Sequence, residues 1–156
     1  MLLHLLLYVT TETLSLGWGE KMTDLEVIAS SLEKIGAAEI DLVPLVYERF
    51  FLLCSDAKPL FATREAQSVQ GKMVNELIQT VLDRLEEKPY SAVVVQTMVS
   101  DHDGWGVKIA MYDAFLMAFL DVLRNALALH EDAPVITAWQ RQLTALKQEI
   151  AAHLPA

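Results

Sequence analysis

Met111 to Leu129 is apolar on nearly every face, and no surface helix can afford that pattern. A helix hydrophobic all round belongs in the middle of a fold, so this segment is expected to be the most buried element. The rest of the chain from residue 24 onward is also spaced for helices. Leu25, Ile28, Leu32 and Ile35 recur at three- and four-residue steps, and Gly36 is placed to end that run. Ile40 to Leu53 is dense enough in apolar residues to pack on two sides. Ser55 to Pro59 reads as a turn or short helix leading to Leu60 and Phe61. Met73, Val74, Leu77, Ile78, Val81, Leu82 and Leu85 trace one face of a long helix that stops near Glu87-Lys88-Pro89.

Ser91 to Val99 carries the β-branched run Val93-Val94-Val95, which by propensity alone would pass for a strand. A single strand in a helical chain has no pairing partner, so a short helix is the consistent reading. Asp132 as cap and Pro134 in the first turn open the last helix, whose inner stripe is Val135, Ile136, Trp139, Leu143, Leu146 and Ile150. The expected class is all-α.

The 156 residues fit one domain with a sizeable core, 53% of them hydrophobic. A formal charge of −9 argues against a nucleic-acid surface, which needs clustered Lys and Arg. The single cysteine, Cys54, cannot form an internal disulfide and fits a reducing, cytoplasmic setting. Met1 to Val9 is apolar but about half the length of a bilayer span, and it lacks a basic leader. Thr23 and Glu26 are spaced as a capping box, so residues 1–21 are read as an extension and 22–156 as the domain. The other reading of the extension is a short extra helix on the domain surface.

A set of motifs follows in fixed order. Val46-Tyr47-Glu48-Arg49-Phe50-Phe51 comes first, then the corner Pro59-Leu60-Phe61, then Gln70-Gly71-Lys72-Met73-Val74. His102-Asp103-Gly104-Trp105-Gly106-Val107 leads on to Tyr112, and Ala138-Trp139 closes the series. Each piece alone is weak, but their order and separations over residues 24 to about 153 are specific. In these residues the chain resembles the bacterial globins, closest to single-domain haemoglobins and the globin half of flavohaemoglobins.

That resemblance implies a three-over-three helical sandwich holding haem b, with His102 as the iron ligand. A neutral imidazole binds iron well and leaves the opposite axial position open to a diatomic gas. Phe61 corresponds to the phenylalanine that stacks on the macrocycle. Tyr47 corresponds to the distal hydroxyl donor, assisted by a glutamine, with Val74 as an apolar wall and Val107 beside the proximal corner. Counting from Phe61 puts the glutamine position on Gly71; counting back from His102 selects Val74 and hence Gln70, with Gln67 as the fallback. Tyr112 stands ten residues after His102, as in flavohaemoglobins, where it bonds with the histidine and a glutamate of the last helix. The chain departs there: the glutamate position falls at about Leu154, and Glu149 is more than one turn early. His4, His130 and His153 have no comparable context.

The expected ligands are oxygen, nitric oxide or carbon monoxide. Nitric oxide dioxygenation would need a separate reductase, since no Gly-rich dinucleotide loop is present. The competing reading is a globin-fold signalling or protein-interaction module, with or without haem. Oligomeric state is not legible.

Overall fold

The structure is a computed structural model that describes residues 21–131 and 133–155. Residues 1–20, nearly all of the expected extension, and Asp132, the expected cap, lie outside the described residues. Seven α-helices are described: α1 Asp24–Ala37, α2 Leu42–Leu53, α3 Arg64–Ser68, α4 Gln70–Leu85, α5 Ser91–Asp103, α6 Ile109–Ala126 and α7 Pro134–His153. A 3-10 segment, Ser55–Phe61, sits between α2 and α3. The contacts arrange α1, α4 and α5 in one layer over α2, α6 and α7 in the other. This is the all-α, three-over-three sandwich.

Local chemistry explains where the helices begin. The Thr23 side chain accepts from the Glu26 backbone N–H at 3.3 Å, and the Glu26 carboxylate accepts from the Thr23 N–H at 2.8 Å. Both halves of the capping box are therefore made. Asp41 caps α2 through Val43 N–H at 3.1 Å, which leaves Pro44 in the first turn, where its missing donor costs little. Pro134 is the first residue of α7, and the cap position is Ala133, which offers no side-chain acceptor.

α6 is the central helix, burying Tyr112, Ala114, Leu116, Ala118, Phe119, Val122 and Leu123. One sequence expectation needs correction. α1 does not end on Gly36: it runs to Ala37, and the left-handed residue of the turn is Glu39, at φ 54°. Its energetic cost is offset by the turn bonds Ala38 N–H to Lys34 O and Ile40 N–H to Ile35 O. α2 packs on two sides as expected, on α6 and on α4, and its third edge is open, with Leu52 74% exposed and Leu45 also exposed. Arg49 crosses from α2 to α6 and pairs with Asp121 at 2.7 Å.

α1 is fastened to α7 by a buried and an exposed link. Trp139 Nε1 donates to Ser31 Oγ at 3.0 Å inside the core. Outside, Asp24 accepts from Arg141 Nε at 3.1 Å and from Gln142 Nε2 at 3.0 Å. The hydrogen bond from Arg141 holds the Asp24 carboxyl below its usual range. A depressed folded pKa contributes stability above the unfolded value, roughly 3.9 for Asp, and loses it as pH falls through the folded value. Asp24→Asn is thus expected to lower the melting temperature at neutral pH. Thermal melts of the two proteins should converge below about pH 4.

Candidate haem-binding site

The last turn of α5 carries His102, and the chain reverses immediately after it. Trp105 N–H and Val107 N–H both donate to the His102 carbonyl, at 3.0 and 3.3 Å. Gly106 takes φ 72°, a backbone angle open to glycine at little cost, so the Gly-Trp-Gly corner folds back tightly behind the histidine. The imidazole Nδ1 lies 2.8 Å from the Met98 carbonyl oxygen, one turn back on the same helix. A carbonyl only accepts, so Nδ1 carries the proton, and in the neutral ring that leaves the lone pair on Nε2. His102 is half-buried, whereas His130 and His153 are exposed.

Tyr112, near the start of α6, sets its ring 6.0 Å from the His102 ring. Burial, reinforced by the charge of Asp103, pushes its phenol up to about 12. Its hydroxyl is buried and has no hydrogen-bond partner among the described residues. The glutamate that the flavohaemoglobin pattern would supply here is missing. Glu149 pairs instead with Arg84 of α4, and Leu154 is half-buried at the end of α7.

A second cluster gathers around Tyr47, which is 3% exposed in the middle of α2. Phe61, Phe51, Phe115 and Phe50 surround it with ring centroids 5.2, 5.8, 5.7 and 6.2 Å away. The Tyr47 hydroxyl donates to the Met73 sulfur at 3.4 Å. Burial drives its acidity well below that of an ordinary tyrosine, so it remains a protonated donor at neutral pH. α6 links the two clusters, because Tyr112 and Phe115 are three residues apart on one helix.

The structure therefore brings together Tyr47 with Phe61, and His102 with Tyr112 and the Val107 backbone. Val74 is fully buried on α4. Gln70 heads α4 and is half-buried, while Gln67 lies exposed in α3. The partner of the tyrosine hydroxyl is Met73, not a glutamine. Met73 and Phe115 are the residues that sequence reasoning did not single out. Both read as ordinary core positions on apolar helix faces, and nothing in their local spacing distinguishes them.

The donor set suits a porphyrin iron. One imidazole offers a free nitrogen, its other nitrogen is fixed by the backbone, and the Tyr112 ring stands beside it. The globin family model matches residues 45–150, from α2 to near the end of α7. The chain belongs to the globin family, whose members are haem-binding, gas-binding proteins. No curated protein sequence matches the chain. No described helix is long and apolar enough to cross a membrane.

Proposed function

We propose that this globin is of the bacterial kind found in single-domain haemoglobins and in the globin half of flavohaemoglobins, and that it binds oxygen reversibly on haem b, which His102 would hold through the iron. The observation that carries the proposal is the Nδ1 contact of His102 with the Met98 carbonyl, which leaves Nε2 as the only free donor of the ring. When bound, haem would supply an iron able to take a diatomic gas. A domain of residues 22–156 is consistent with the cap at Thr23 and the docking of α1 on α7.

Tyr47 would supply a hydrogen-bond donor to a gas held there. Oxygen would accept such a bond more strongly than the less polar carbon monoxide. Phe61 packs against the Tyr47 ring, Val74 would form an apolar wall from α4, and Val107 would lie on the histidine side. Gln70 remains the candidate second donor from the first turn of α4.

The proximal side favours reversible binding over oxygen activation. His102 is held by a backbone carbonyl, a weaker hydrogen-bond acceptor than a carboxylate. A carboxylate would raise the imidazole's basicity and strengthen electron donation toward oxygen. Among the described residues Tyr112 has no carboxylate partner to complete such a relay. Nitric oxide dioxygenation therefore ranks behind oxygen binding and would depend on a separate reductase.

The test is Tyr47→Phe, which keeps the ring and removes the donor. Losing a hydrogen bond worth about 1.4 kcal/mol speeds oxygen release about tenfold. Stopped-flow release of carbon monoxide should be nearly unchanged. Equal oxygen release from both proteins would remove Tyr47 from the site.

A further inference from the structure

Most buried hydroxyls in folded proteins are hydrogen-bonded. The partner the structure gives Tyr47 is the thioether of Met73, 3.4 Å away and 26 positions along the chain. Sulfur is a weak acceptor, so it can hold the proton without holding it tightly. Met73 is half-buried in the first turn of α4, where its own N–H is tied to the Val69 carbonyl at 3.0 Å. The thioether is thus delivered from a fixed backbone onto the tyrosine.

We infer that Met73 is the resting acceptor of the Tyr47 hydroxyl and thereby sets the protein's preference for oxygen over carbon monoxide. The inference rests on the reading of Tyr47 as the gas-facing donor. Before the gas arrives, the hydroxyl is bonded to sulfur. Afterwards it is bonded to the ligand. Oxygen therefore gains only the difference between the two bonds. Met73 acts through Tyr47 and is a positioning residue. A stronger acceptor at this position would cancel the donor's effect, and no acceptor would release all of it.

Met73→Leu conserves volume and removes the acceptor, so packing should change little. In the haem-loaded protein it is expected to tighten oxygen binding about three- to tenfold, the equivalent of one modest hydrogen bond. The effect should be much smaller for carbon monoxide and absent when Tyr47 is already Phe. The C–O stretching band of the carbon monoxide form should move to lower frequency in Met73→Leu, because the freed hydroxyl turns toward the ligand. It should move to higher frequency in Tyr47→Phe. Unchanged or weaker oxygen binding in Met73→Leu, beside a normal Tyr47→Phe effect, overturns the role of Met73 and leaves the donor reading intact. No effect of Tyr47→Phe overturns both.

Discussion

Trp139→Ala is expected to destabilise the fold by about 3–5 kcal/mol, the range for emptying a large buried aromatic site. Trp139 is fully buried in α7, and its ring meets Phe119 of α6 edge-on at 5.2 Å. Its indole N–H also reaches Ser31 of α1, so one side chain ties three helices drawn from both layers. The loss should appear as a melting temperature lower by roughly 10 °C, using the 2–4 °C per kcal/mol typical of chains this size. Trp139→Phe separates the contributions. It retains most of the ring contact and gives up the hydrogen bond, so it should cost about 1–2 kcal/mol. Ser31 keeps its own bond to the Ile28 carbonyl at 2.6 Å, which limits the damage from losing the indole. Urea denaturation of the two variants checks both values. A Trp139→Ala protein as stable as the parent would mean that α7 is held by other contacts.

The second large effect is expected at His102. His102→Gly removes the only free ring nitrogen at the site, and haem retention should weaken by more than the 10- to 100-fold typical of losing a mere supporting contact. Because His102 lies in the last turn of α5, glycine there disturbs little of the helix. It also removes the imidazole donor to the Met98 carbonyl. Added imidazole should enter the space, donate one N–H to that carbonyl and present its other nitrogen to the iron. Titration of the variant with haemin, with and without imidazole, reads both steps. Tight haem binding by His102→Gly without imidazole would assign the ligand to another residue.

What could be read from the sequence was local. The Thr23–Glu26 capping box, the periodic faces of α1 and α4, and the all-round apolar α6 each depend on residues within a few positions of one another. Their expected behaviour is the observed one. The β-branched segment beginning at Ser91 was resolved as helix by asking what a lone strand would pair with, and α5 carries His102 in its last turn. The uncertain step lay between Phe61 and Val74, where counting from either end differed by one residue. The reason is structural: the chain leaves the 3-10 segment at Ala62, forms the five-residue α3, and breaks again at Val69 before α4 begins. Each break resets the helical phase, so residue counts do not carry across.

Other features depend on distant partners. The Met73 contact with Tyr47 and the capture of Glu149 by Arg84 join residues far apart in the chain. A long, unbranched thioether on an apolar helix face gives no local sign that it will meet a hydroxyl. The left-handed turn at Glu39 was hidden for a related reason. Glycine is the usual residue for that angle, and Gly36 drew the expectation three residues too early.

The central claim is tested most directly by the absorption spectrum of the protein purified after expression with haem available. The reduced protein is exposed to oxygen and then to carbon monoxide. The account predicts a Soret band that shifts with each gas, consistent with one histidine ligand and an open opposite face. A colourless protein that takes up no added haemin would contradict it, and the His102 and Tyr47 clusters would then be structural.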